Sequence, residues 1–184
     1  EEAERKNTPY EVEYRFRHKD GRHVTIHDLG FFIAGTDGKP KRMIGVKRDV
    51  TERKHTELLQ NAIYQISQAT DKSATPEDLF KAVHEIIGTV MPARNFYIAL
   101  YDREKDLITF PYFIDEVDLI CPPAKPGKGL TAYVLRTGHS LFCDAEKDRE
   151  LRRSGEVDLI GAPSSIWVGV PLIVGDKAIG AMVV

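Results

Sequence analysis

Residues 10–21, YEVEYRFRHKDG, put Tyr10, Val12, Tyr14 and Phe16 on one face of an extended chain and Glu11, Glu13, Arg15 and Arg17 on the other. That period of two is what a half-buried antiparallel strand requires. Lys19-Asp20-Gly21 then supplies a turn in which Gly21 is free to take positive φ, and RHVTIHDLGFFIA (22–34) returns as a second long strand. Thr36-Asp37-Gly38-Lys39-Pro40 is the next turn signal, and KRMIGVKRDV (41–50) reads as the third strand of the same meander.

The third strand runs into Asp49-Val50-Thr51-Glu52-Arg53, where Asp49 or Thr51 offers a side-chain oxygen to the free amides of a starting helix. With Asp49 as the cap, Glu52 stands where it completes a capping box. Asp49 and Arg53, four apart, are also placed to pair across the junction. Beyond them Leu58, Leu59, Ala62, Ile63, Ile66 and Ala69 recur at three- and four-residue steps, the stripe of a helix that ends near Thr70. Such a stripe serves either to pack on a following domain or to pair two copies of the chain in a short coiled coil.

The polar residues from Thr70 to Pro76 mark the border of a second domain, giving a first part at 1–51, a connector at 52–71 and a second domain at 72–184 whose first helix overlaps the connector. Pro76 suits the first turn of a helix carrying Leu79, Phe80, Val83, Ile86, Ile87 and Val90 on its inner side. NFYIALYD (95–102) and DLITFPYF (106–113) follow as strands. Both faces of the first are apolar, which predicts a helix layer on each side of its sheet. Asp115 to Gly129, with three prolines and two glycines, is an irregular loop opening onto a short helix, LTAYVLRTG, stopped by Gly138. A short strand HSLFCD, a charged helix AEKDRELRRSG and a hairpin turning at Gly175-Asp176 complete an α+β chain.

Composition narrows the function classes. A net charge of −2, with basic and acidic residues interleaved, offers no electrostatic footprint for nucleic acid. No apolar run reaches the ~20 residues that span a bilayer, and the start EEAERKN lacks the apolar core of a signal peptide, so a cytoplasmic chain without membrane contact is expected. Cys121 and Cys143 are too few for a disulfide framework and form no zinc-type spacing, and both read as reduced thiols. His23 and His27 share a strand face with Thr25 between them, two ligands where a metal needs more, and read as surface histidines. No metal site or cofactor is evident. Nucleophile elbow, zinc-protease and P-loop motifs are absent from the sequence. His84-Glu85 is followed by Ile86-Ile87-Gly88, not by the Arg and Pro of a kinase phosphoacceptor helix, and is expected at an exposed helix position.

The run from YEVEYRF through KDGR, DGKP and MIGVKRDVTERK resembles the C-terminal PAC region of PAS domains, with Asp49, Thr51 and Arg53 at the positions of its closing DxTxR motif. These three form the expected signal-relay junction. From about Glu57 the chain resembles a GAF domain, carried by NFYIALYD, ITFPYFIDE, the Pro-rich loop into GKGLTAYVLRTG, and SSIWVGVPLIVGDKAIGAMVV. The resemblance implies a three-stranded PAS remnant, a connector helix and a GAF antiparallel sheet with helices on both faces, whose closing strand and C-terminal helix lie beyond Val184.

It also implies a cavity between one sheet face and the segment 115–136, with Phe113, Leu130, Tyr133 and Trp167 as wall residues for a small-molecule ligand. Cys121-Pro122 lies in the loop over that cavity. A Cys-Pro pair can ligate haem and GAF relatives attach bilins through cysteine, but the bilin context has His after the cysteine, and a free thiol is expected. The function implied is sensory: relay of a signal through PAS and GAF modules to an output domain of histidine-kinase or diguanylate-cyclase type, with homodimerisation through the connector helix and no catalytic centre in these residues. A ligand-binding region of a transcription regulator is the alternative, and a catalytic GAF such as a methionine sulfoxide reductase a more distant one.

Overall fold

A computed structural model describes residues 9–117, 122–161 and 165–184, and the chain divides into two compact units, 1–61 and 62–184. Unit 1 is built on β1 (Tyr10–Arg17), β2 (His23–Ala34) and β3 (Pro40–Asp49), an antiparallel sheet of order β1-β2-β3. The register pairs Arg17 with His23 across a turn in which Gly21 takes φ +92°, a conformation that side chains with a Cβ rarely adopt. Residues of even number on β1 share a face with Val24, Ile26, Asp28 and Gly30 of β2, and Lys47 stands opposite Asp28 on β3.

Both faces of this sheet keep apolar side chains at the surface. Val12, Phe16 and Met43 on one face and Phe31, Ile33, Ile44 and Val46 on the other are all exposed. The alternation that marks the strands therefore does not sort this sheet into a buried and a wet side. Asp28 is the buried charged residue of the unit. It is covered because the ring of Tyr10 lies over Gly30, where a Cβ would meet it at 2.4 Å, while Tyr14 closes from the other side.

Helix α1 (Thr51–Lys72) follows β3 directly. Its first accepting carbonyl is that of Val50, which receives the amide of Lys54, so the helix begins one residue later than an Asp49 cap requires. Asp49 Oδ1 instead accepts the amide of Thr51 at 2.9 Å in a local turn, and the expected capping box with Glu52 does not form. The apolar positions Leu58, Leu59 and Ile63 are exposed, with Ile63 at 68%.

In unit 2, α2 (Pro76–Val90) starts as predicted, with Pro76 in its first turn and the Thr75 hydroxyl accepting the amide of Asp78. All six expected inward positions, from Leu79 to Val90, are half-buried. The sheet contains β4 (Phe96–Asp102), β5 (Leu107–Ile114), β6 (Leu141–Asp144), β7 (Ile166–Val174) and β8 (Lys177–Val183), all antiparallel in the order β5-β4-β8-β7-β6. Pro111 sits on β5, an edge strand where a missing amide is tolerated, beside a register shift at Ile98/Leu100 that keeps Ile108, Phe110 and Phe113 on one face.

β4 is buried on both sides, as its sequence requires. On one side α2 packs on β5, and Phe96, fully buried, stacks on His84 at 4.6 Å. On the other, α3 (Leu130–Thr137) and α4 (Ala145–Arg153) enclose a core of Val134, Leu141, Cys143, Leu151, Val157, Ala181 and Val183. Burying a side chain such as Val134 or Phe96 contributes roughly 1.5–3 kcal/mol. His84 is not at an exposed position: Nδ1 is 2.9 Å from the Tyr112 hydroxyl and Nε2 is 2.6 Å from the Ala93 carbonyl. Helical spacing from Phe80 and Ile87 places it on the flank of the inner stripe, where a ring that is half apolar and half polar reaches both the core and the backbone beyond the helix end.

Candidate functional site

The face of the unit-2 sheet that carries α3 and α4 holds a cavity of about 460 Å³, within the range of small-molecule sites. Its floor is made by β4 and β5 through Tyr97, Ile108, Phe110 and Phe113, and by Trp167 on β7. The roof is the segment 122–129, tied to the edge strand where Ala124 and Ile108 exchange both backbone hydrogen bonds at 2.8 and 3.0 Å. The first turn of α3 closes one end, and residues 158–161 with Asp148 and Arg152 of α4 close the other walls.

Three of the four wall residues expected from sequence, Phe113, Leu130 and Trp167, stand in the lining; Tyr133 does not. Helix α3 meets the cavity end-on, so Leu130, Thr131 and Ala132 of its first turn reach the wall. Tyr133 instead packs against the core, with the Arg136 guanidinium 5.3 Å from its ring centre. Cys121 and the haem or bilin question attached to it lie outside the described residues.

The polar residue at the centre of the floor, Tyr97, escaped the sequence reading. Its hydroxyl is 2.8 Å from Thr131 Oγ1 and accepts the indole N–H of Trp167 at 3.3 Å, linking three elements. The Trp167 ring lies over Gly169, where a Cβ would come within 2.2 Å of it. A small residue two positions after a tryptophan on the same strand face is the only sequence signal for that seat. Tyr97 also stacks on Phe113 at 5.5 Å and meets Phe110 edge-on at 5.8 Å.

Among the described residues, five charged side chains line the cavity: Asp115, Asp148 and Asp158 against Lys125 and Arg152. Asp148 and Arg152 neutralise each other through a forked contact that includes Nε to Oδ1 at 3.0 Å. Cys143 is buried beneath them, free of any disulfide. Burial, with the nearby Asp148 and Asp144 carboxylates adding to it, pushes its thiol pKa up and keeps the sulfur protonated.

Unit 1 holds the other predicted group. The Thr51 hydroxyl accepts the backbone amide of Thr25 at 2.8 Å and donates to Asp49 Oδ1 at 2.6 Å, while the Val50 amide bonds the Thr25 carbonyl at 2.9 Å. The end of β3 and the start of α1 are thereby fastened to the middle of β2. Hydrogen bonds from the side chain and amide of Thr51 hold the Asp49 carboxyl below its usual range. Arg53 does not reach Asp49; it pairs with Glu57 at 3.2 Å and lies 3.9 Å from Glu13, which also takes the ammonium of Lys54. His27 bonds Glu11 at 2.7 Å, and His23 is exposed at the strand end. No group of three or more potential metal ligands occurs among the described residues, and no described helix is long and apolar enough to cross a membrane.

An antiparallel sheet clad by helices on both faces, with an aromatic cavity under a loop on one of them, is the architecture of a sensory domain. A family model described as GAF domain matches residues 73–184, and the chain belongs to that family; a second model, described as PAS fold, matches residues 1–47, so a PAS module precedes the GAF domain. A search of curated proteins finds no match. Solved structures share the fold. The GAF domain from a phosphoenolpyruvate-protein phosphotransferase of Coxiella burnetii aligns with a TM-score of 0.56 at 16% identity, over 70% of this chain and 77% of that one. Free methionine-R-sulfoxide reductase from Neisseria meningitidis, in complex with its substrate, gives 0.54 at 14% identity over 71% and 73%. Residues 122 to 287 of a methyl-accepting chemotaxis protein give 0.52 at 16% identity over 67% and 80%. At such identities the likeness is one of fold.

Proposed function

We propose that the chain is the sensory region of a bacterial signal-transduction protein, in which the GAF cavity receives a small molecule and α1 relays the response to an output domain of histidine-kinase or diguanylate-cyclase type. The observation that carries this reading is the cavity itself: about 460 Å³ of aromatic-lined space, with polar groups at its centre and a loop for a roof. A cytoplasmic setting and no nucleic-acid partner belong to the same reading. Trp167 is the only tryptophan of the sequence and stands in the wall, so its fluorescence reports occupancy directly. A saturable change on titration with one member of a panel of cellular metabolites is expected. Silence across the panel, in protein that still unfolds cooperatively, would sink the ligand reading.

The relay is proposed to work through a homodimer. Leu58, Leu59 and Ile63 leave apolar surface along α1, and pairing with the same helix of a second copy covers it. Sedimentation equilibrium of the chain and of Ile63→Glu tests this: a dimer that the substitution weakens at least tenfold is expected, and a monomer at all concentrations removes the pairing. A catalytic reading of the cavity finds little support in its chemistry, because the described thiol in its wall, Cys143, is held protonated by burial.

A further inference from the structure

We propose that Glu13 of β1 is an ionic latch that sets the direction in which α1 leaves the sheet of unit 1. The inference rests on α1 being the relay and names the contact that holds it. Among the described residues, two attachments of different kind join the start of α1 to the sheet. The first is neutral and partly buried: the Thr51 hydroxyl accepts the Thr25 amide, and the Val50 amide donates to the Thr25 carbonyl. These bonds tie one point of the helix start to β2. The second attachment is ionic and exposed. Glu13 Oε2 receives the ammonium of Lys54, and Glu13 Oε1 stands 3.9 Å from the Arg53 guanidinium, whose other nitrogen pairs with Glu57 one turn further along the helix.

A helix fixed at one point is free to tilt, and a second point on a neighbouring strand removes that freedom. Chiefly the bond from Lys54 holds the Glu13 carboxyl below its usual range, against an upward push from burial, so the carboxylate is charged near neutrality. Exposed ion pairs contribute little to stability, so the latch opens at small cost while the Thr25 bonds still hold the helix start. The strand that carries the latch also links it to the opposite face of the sheet. Alternation puts Tyr14 on that face, where its hydroxyl bonds the buried Asp28 at 3.0 Å. A displacement of β1 that begins at Tyr14 and Asp28 therefore moves Glu13 against Lys54, and α1 is released to a second direction about the Thr25 pivot.

Residual dipolar couplings of backbone amides read the direction of α1 against the sheet. They are measured on the full chain carrying Ile63→Glu, so that pairing with a second copy does not hold the helix. In this background the couplings of residues 54–61 are expected to fit the same alignment as those of β1, β2 and β3. Adding Glu13→Lys, which sets three cations together, is expected to shrink the couplings of 54–61 against those of the sheet while the helical carbon shifts of α1 stay in place. Lys54→Glu on top of it re-forms a pair of opposite charge and should restore them. Unchanged couplings in Glu13→Lys overturn the latch. Loss of the helical shifts overturns it too, since the residue then supports the helix and not its direction, and so does a failure of Lys54→Glu to restore the couplings. The relay reading is decided separately, by the dimer measurement on the unsubstituted chain.

Discussion

Thr51 Oγ1 accepts the amide of Thr25 at 2.8 Å, joining residues 26 apart in sequence at the point where the last strand of unit 1 becomes a helix. The same hydroxyl donates to Asp49, so one side chain satisfies a backbone donor of β2 and a carboxylate of β3. Thr51→Val keeps the shape and removes both bonds. It is expected to destabilise unit 1 by about 1–2 kcal/mol, because the Thr25 amide loses its partner. Hydrogen exchange at that amide should accelerate accordingly, and Thr51→Ser should restore protection. Unchanged exchange in the valine variant would mean that the hydroxyl does not fasten the helix start.

Asp28 gives unit 1 a pH dependence of defined sign. Burial, the largest single influence on its carboxyl, raises the pKa, but the hydrogen bonds from Lys47, Tyr14 and Tyr10 together outweigh it and hold the group below its usual range. A lowered folded pKa contributes stability that is fully present above the unfolded carboxylate value and is lost as pH falls through the folded one. The unfolding midpoint of unit 1 is therefore expected to be flat near neutrality and to decline in acid. Asp28→Asn should lower the midpoint at neutral pH and flatten the acid limb. Urea titrations from pH 7 downward, read at amides of β2, measure both.

Gly169 is needed as a seat. A methyl group there would approach the Trp167 ring to 2.2 Å, so Gly169→Ala must lift the indole or shift β7. A cost of about 1–3 kcal/mol is expected from overpacking. Trp167 emission should change at the same time, since its bond to Tyr97 cannot survive the displacement. A variant with native emission and native stability would show that the ring does not lie on this residue.

His84 is a fastener between α2 and the sheet. Its ring stacks on Phe96 while its two nitrogens engage Tyr112 and the Ala93 carbonyl. His84→Ala removes a packed ring and leaves two polar groups without partners, and a loss of about 2–4 kcal/mol in unit 2 is expected. Chemical denaturation followed by Trp167 fluorescence measures it. A surface histidine would change stability by less than about 0.5 kcal/mol.

The elements of this protein follow from short-range rules that the sequence carries openly. Tyr10 to Phe16 alternate, Gly21 and Gly175 close two-stranded turns, Pro76 and Gly138 bound helices, and the doubly apolar run 95–102 demands cover on both faces. Each is a statement about neighbours along one strand or one turn, where backbone geometry fixes which side a residue faces. The motif around Asp49 and Thr51 was legible as a junction, although the partner of the hydroxyl, Thr25, was not.

What only the tertiary structure decided is which distant side chains meet. Nothing along their strands singles out Tyr97 and Phe110, because the cavity floor and the core share a sheet face. Asp148 and Arg152 belong to a helix the sequence marks only as charged, and they reach the cavity because α4 packs on β6. Tyr133, the residue after Ala132, packs on the core and not on the cavity, because α3 points its end at the space and not its side. His84 gained two partners from segments its own helix does not contain. Aromatic walls and paired charges become a site when loops and strands far apart in sequence enclose one volume, and no local periodicity encodes that enclosure.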